Sequence, residues 1–223
     1  MTQLRAPSRP GIYAKGTETV DAILKAAMDV LIDEGAEAFT IRRIAARCDM
    51  KVGNVSYHFP RKDMLIQVLL DELVDSYGKL LDDVVRKPGL TAEERLKLVI
   101  ILCLDDIGSK RTTHLFTELW ALANHNPFVA DRLKGFYDRV HGVIGDHVAA
   151  VNPALSPEDV RTVALFISAT MEGATPFLGH GKPWADKMPA FTALAVQSLV
   201  MLAKTATSTE IAALAPAREP ELA

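Results

Sequence analysis

Apolar residues recur along this chain at intervals of three and four, the repeat of a helix buried on one face. Val20, Ile23, Leu24, Ala27, Val30 and Leu31 share such a face, with Thr17 as its cap and Gly35 as its stop. Thr40 caps a second, short helix with Ile41, Ile44, Ala45 and Cys48 inward; Asp49-Met50-Lys51 breaks it. Val52–Phe59 forms another short helix anchored by Val55 and Phe59. Pro60 ends that one and opens a long helix over 61–85, with Met64, Leu65, Val68, Leu69, Leu73 and Tyr77 along one side. Beyond Lys87-Pro88-Gly89, Thr91 and Glu94 spell a capping box for a helix over 91–107. Helices over 111–124, 127–151, 156–173 and 184–204 follow, punctuated by Asn126-Pro127, Asn152-Pro153 and the 179–183 loop. No segment alternates as a strand does and no repeat is visible, so the fold class is all-α.

The breaks divide the chain into a basic arm over 1–16, expected to be flexible, a head of short helices over 17–62, a helical domain over 63–204, and a tail over 205–223, expected to be flexible. With 223 residues, 49% of them hydrophobic, the chain can bury a sizeable core. The net charge of −3 argues against a general nucleic-acid coat protein, but it is unevenly spread. Residues 1–62 carry 10 Lys/Arg against 7 Asp/Glu, whereas 63–223 carry 15 against 21. The basic excess thus sits at one end, where a DNA-binding head needs it.

Cys48 and Cys103 lie on apolar helix faces and read as small buried hydrophobes, without a disulfide framework. The N-terminus lacks the apolar run of a secretory signal, and the stretches Leu98–Leu104 and Ala190–Ala203 are shorter than the ~18 residues of a membrane span. The expected location is cytoplasmic, with no membrane partner.

The informative stretch is TIRRIAARCDMKVGNVSYHFPRK, residues 40–62. Two short helices three residues apart have the spacing of a helix-turn-helix, whose second helix enters the major groove. Arg42, Arg43, Arg47, Lys51, Arg61 and Lys62 stand there against Asp49 alone. A helical hairpin with a solvated basic face would carry the same charge. Against that reading, the second helix is too short to stand alone, and its outward residues, Lys51, Asn54, Ser56, Tyr57 and His58, are of types that bond phosphates or bases.

Thr40-x-x-x-Ile44-Ala45 followed by Val55-Ser56-Tyr57-His58-Phe59-Pro60-x-Lys62-x-x-Leu65 resembles the TetR family of one-component regulators. The resemblance covers 17–81 well; beyond that it extends only to length and helix number. Asp49 stands where that family usually has Gly. The resemblance implies roles in binding a double-stranded DNA operator. Thr40 would cap and touch a phosphate. Arg42 would reach a guanine. Lys51, Val52 and Gly53 would enter the groove, and Asn54, Tyr57, His58 and Lys62 would hold phosphates. It further implies a repressor released from its operator by a small organic effector of unidentified structure. It also implies a homodimer through the helices near 156–173 and 184–204. The domain over 63–204 would thus be regulatory and dimerising. Val160, Val163, Ala164, Ile167 and Met171 on one helix and Phe191, Leu194, Ala195, Ser198, Leu199 and Leu202 on the last suit that pairing, and would equally suit packing within one chain.

For the effector, the convergent aromatic and polar candidates are Phe116, Glu118, Trp120, Phe136, Tyr137, His141, Met171, Glu172 and Phe177. Glu118 and Trp120 would flank a cation. Each of these residues can equally be ordinary core. No zinc-ligand spacing, phosphate loop or nucleophile elbow is present among the sequence motifs, so neither an enzyme, a metal site nor a cofactor is expected. The alternative function is a DNA-bound protein of the same fold controlled by a protein partner.

Overall fold

The computed structural model describes residues 14–85 and 88–214. Among them are α1 (Ala14–Glu34), α2 (Ile41–Arg47), α3 (Val52–His58), α4 (Lys62–Val85), α5 (Ala92–Ile107), α6 (Lys110–Ala123), α7 (Pro127–Val151), α8 (Pro157–Glu172), α9 (Thr175–Leu178), α10 (Met188–Thr205) and α11 (Ser208–Leu214), with single 3-10 turns at Ala36–Ala38 and Ala185–Lys187 and no strand.

The caps follow the sequence chemistry. Thr40 Oγ1 accepts from the Arg43 amide at 3.2 Å. Thr91 and Glu94 close a reciprocal capping box on α5. Ser109 caps α6 and Ser156 caps α8, with Pro157 at the first helical position. Each such side chain satisfies an amide that the helix start leaves without a partner.

Two compact units result. One draws on Met1–Asp82 and Ser109–Asp138, the other on Asp83–Gly108 and Arg139–Ala223. The first thus holds α1–α3, most of α4, α6 and the front of α7, around Ile23, Leu24, Ile44, Val55, Leu65, Leu73 and Leu119, all nearly fully buried. The second packs α5, the rest of α7, α8 and α10 around Leu96, Ile100, Leu104, Ile144, Ile167 and Leu199. Within the first unit α6 packs on α1.

Several sequence expectations change. α1 begins at Ala14, so the expected arm over 1–16 lies outside the described residues except for its last three, which are helical. Met64, assigned inward, is 37% exposed, and Cys48 is only partly buried. Burial, with Glu172 and then Asp106 adding to it, pushes the Cys103 thiol up to about 12, far from thiolate chemistry. The dimer stripe given to α8 is this chain's own core: Val163, Ala164, Ile167 and Met171 are buried. The outward face carries Leu165 and Phe166 instead, and α10 exposes Leu194 and Met201. One helix, Ala185–Thr205, has the length and hydropathy of a membrane span, with few of its residues buried in the chain.

The tail over 205–223 was expected to be flexible throughout. Its first part instead forms α11, and 215–223 lie outside the described residues. The reason is polar. The buried Asn152 amide donates to Ala206 O at 2.9 Å, and Ser208 Oγ bonds the Asp159 carboxylate, while Thr207 and Glu210 form a capping pair. Replacing Asn152 with Ala should strand a buried carbonyl and lower unfolding free energy in urea by about 1–3 kcal/mol. An effect below a few tenths of a kcal/mol would show that α11 docks without it.

Candidate nucleic-acid interface and aromatic cluster

The link between α2 and α3 closes in a Schellman arrangement. The Met50 amide bonds Ala45 O at 2.9 Å and the Asp49 amide bonds Ala46 O at 3.4 Å. Asp49 must then take φ 52°, and it is the one non-glycine residue with positive φ among those described. Asp is among the side chains that tolerate this region best, so the turn keeps its shape without a glycine.

From this turn α3 projects with only Val55 buried on its own length, and Phe59 pins its end. Lys51, Val52, Gly53, Asn54 and Tyr57 are exposed, and Tyr57 retains 81% of its surface. His58 is partly exposed and meets the Tyr57 ring edge-on at 5.2 Å. A methyl placed on Gly53 would meet nothing within 4 Å, so internal packing does not require glycine there. Arg42, Arg61 and Lys62 are exposed nearby in sequence, Lys62 opening α4.

Arg43 and Arg47 are differently employed. The Arg43 guanidinium grips Glu34 through two bonds of 2.6 and 2.9 Å. Arg47 reaches Asp33 at 2.6 Å, and Asp33 also takes Lys110 of α6 at 2.7 Å. These bonds hold both carboxylates below their ordinary range, Asp33 through Lys110 first and Arg47 second, Glu34 through Arg43. The basic window of residues 40–62 is therefore split: part of it fastens the head together and part is exposed.

The candidates for an effector divide between the units. Phe116, Trp120 and Tyr137 come together in the first, and Tyr77 and Phe136 complete a cluster of five rings. The Trp120 indole N–H donates to Tyr137 Oη at 2.8 Å. Tyr77 stands edge-on to Phe116 at 5.8 Å and to Phe136 at 5.3 Å, and its hydroxyl bonds Thr112 at 3.1 Å. Tyr77 was legible only as one more apolar position on its helix. Glu118 does not join them. Two residues from Trp120, it lies about 200° around the helix, and its carboxylate accepts the Ala36 amide at 2.8 Å. His141, Met171, Glu172 and Phe177 belong to the second unit. Met171 is buried there, Glu172 is near enough to Cys103 to raise its thiol pKa, and Phe177 is exposed against Trp184 at 6.2 Å. Among the described residues no group of His, Cys, Asp and Glu is placed to hold a metal.

A helix-turn-helix carried on an all-helical body defines a class of DNA-binding regulators. The comparisons agree with it. Residues 23–69 match the model for bacterial regulatory proteins of the tetR family, and 92–200 match that for the C-terminal part of BetI-type transcriptional repressors. An uncharacterized HTH-type transcriptional regulator of Xanthobacter autotrophicus is 27% identical over 156 residues, 68% of this chain and 74% of the relative. A TetR transcription regulator from Haloarcula marismortui superposes with TM-score 0.68 at 20% identity, over 83% of this chain and 96% of the other. A transcriptional regulator from Saccharomonospora viridis, solved in complex with choline, gives TM-score 0.63 at 23% identity, over 84% and 96%. The two structures share the fold. The chain belongs to the TetR family of transcriptional regulators, whose members bind DNA operators and usually act as dimers. It is not an enzyme.

Asp49→Gly should raise unfolding free energy by about 0.5–1 kcal/mol, since glycine accepts φ 52° without a side-chain cost. A chemical denaturation series comparing the two proteins measures it, and a loss of stability would mean that the Asp49 side chain supplies something to the turn.

Proposed function

We propose that this protein is a homodimeric repressor that reads a near-palindromic operator through α3 and leaves it when a small organic effector binds. The observation that carries the proposal is the outward surface of α3. Lys51, Val52, Gly53, Asn54 and Tyr57 are exposed, with open space around Gly53, on a helix too short to persist without the head around it. In this reading Lys51, Val52 and Gly53 enter the major groove, with Gly53 letting the backbone approach closely. Arg42 reaches a guanine edge. Thr40, Asn54, Tyr57, His58 and Lys62 hold phosphates, Lys62 aided by the positive end of α4. The protein then works in the cytoplasm, where its operator is.

The outward faces of α8 and α10 support dimerisation. Phe166, Leu194 and Met201 each keep more than half their surface, and Leu165 joins them. A second copy of the chain covers this face, which explains why so apolar a helix as Ala185–Thr205 is so little buried within one chain. The five-ring cluster around Trp120 is our candidate for the effector site. Ring faces suit a cationic ligand, and a neighbour of this fold was crystallised with choline. Choline is therefore the first effector to try, by thermal shift of the full-length protein.

The deciding experiment is selection of duplexes from a random pool by the purified protein. It should enrich a two-fold site with half-sites about 34–36 Å apart or a multiple of that; failure to enrich any duplex would overturn the reading. On the selected duplex, Lys62→Ala and His58→Ala should weaken all sequences alike and each lower the salt slope by about 1. Arg42→Ala should instead relax one base pair by about 1–3 kcal/mol, and an unchanged base-preference profile would remove Arg42 from the readout. Leu194→Glu should give a monomer by sedimentation, with operator binding lost at concentrations where the parent is saturated. A dimer of parental affinity would move the interface elsewhere.

A further inference from the structure

Helix α6 carries different chemistry on its different sides. One stripe is polar: Lys110, His114 and Glu118, four residues apart and thus aligned on one face. Each member is fastened to the last turn of α1 or to the turn that follows it. Lys110 Nζ bonds Asp33 at 2.7 Å. His114 Nδ1 lies 2.8 Å from Ile32 O, and because a carbonyl only accepts, the ring proton is on Nδ1. Glu118 accepts the Ala36 amide at 2.8 Å. The approach is close: a Cβ on Gly35, which holds φ 83°, would sit 3.3 Å from a Glu118 carboxylate oxygen. Well around the helix from this stripe, Phe116 and Trp120 face the aromatic cluster.

The remaining side is apolar. Leu115, Leu119 and Leu122 border a void of about 10 Å³ with Met28, Leu31, Phe39, Ile66, Leu69, Leu70 and Leu73. Its lining offers water no partner, so it stays dry. Contacts of that kind resist sliding weakly, because they have no preferred direction. The directional restraints on α6 include the three polar latches, the Trp120–Tyr137 bond and, nearer its start, the hydroxyl contact of Thr112 with Tyr77.

We propose that the Lys110–His114–Glu118 stripe is the coupling element through which events at the aromatic cluster reach the DNA-binding helices; this rests on the repressor reading above. Glu118 and Trp120 are two residues apart on one rigid helix, so displacing one displaces the other. Releasing Trp120 from Tyr137 turns α6 and withdraws Glu118 from Ala36. Ala36 opens the turn that leads to Thr40, the cap of α2, and Asp33 is shared between Lys110 and Arg47 of α2. Loss of the latches therefore frees the angle at which α2, and α3 behind it, leaves α1. By reciprocity, operator binding tightens the latches and opposes effector binding by the same factor.

The test is a double-mutant cycle on the full-length protein. Trp120→Phe keeps a ring and removes the indole donor. Glu118→Ala removes the latch, and Glu118→Gln keeps an acceptor for the Ala36 amide. Hydrogen exchange over residues 32–40 is measured for each, together with affinity for a duplex selected by the parent. Trp120→Phe should speed exchange over 32–40 by about tenfold and weaken the duplex by about fivefold or more, within the range of known couplings. In the Glu118→Ala background it should add less than about twofold to either, and Glu118→Gln should lie nearer the parent than Glu118→Ala does. Equal effects of Trp120→Phe in both backgrounds, or exchange over 32–40 that ignores it, would overturn the proposal. If no duplex is selected, the repressor reading fails while the exchange cycle still decides the coupling.

Discussion

Two carboxylates at the wrong end of a helix govern the first unit. Asp33 and Glu34 close α1, where the helix dipole is negative and acidic side chains are unfavourable. Left alone they would fray the helix. Instead Arg43 and Arg47 from α2 and Lys110 from α6 converge on them. Each ion pair is exposed and by itself contributes little. What they supply is direction: α2 and α6 must approach α1 at the places where their cations reach that turn. Gly35 then lets the chain reverse with φ 83°, and the Glu118 carboxylate occupies the space its missing side chain leaves.

Much of this was legible in the chain. The caps at Thr40, Thr91 and Ser156 and the prolines at 60, 127 and 157 mark helix starts by local chemistry, which needs no tertiary information. The break at Asp49-Met50-Lys51 was legible too, while the left-handed conformation of Asp49 came only with the structure. Less visible was the use of each face. Val163, Ala164, Ile167 and Met171 form a stripe that any buried partner satisfies, and periodicity alone does not distinguish a neighbour in the same chain from a second chain. The exposure of Leu165, Phe166 and Leu194 marks instead the face that this chain does not cover itself. Likewise the Ala-, Thr- and Pro-rich composition of the tail suggests fraying, whereas Asn152 and Asp159, far away in sequence, hold its first part down.

The candidate effector residues show the same limit from another side. Phe116, Trp120 and Tyr137 could be gathered from sequence because α6 and α7 are sequential helices with aromatics at helical spacing. Glu118 and Trp120 have the chemistry to flank a cation, but a separation of two places them on different sides of a helix. The spacing of Lys110, His114 and Glu118 was equally present in the sequence; what it lacked was the knowledge that the end of α1 lay opposite.

The economy of α3 has an evolutionary side. Its hold on the head rests on the buried Val55 and Phe59, whereas Lys51, Val52, Gly53, Asn54 and Tyr57 are exposed. Substitutions at those five positions leave the core untouched, so drift there is cheap in stability and is filtered only by what the surface recognises. A duplicated copy can thus acquire a new binding preference without first acquiring a new fold, and a designer can vary the same five positions as a library on an unchanged scaffold.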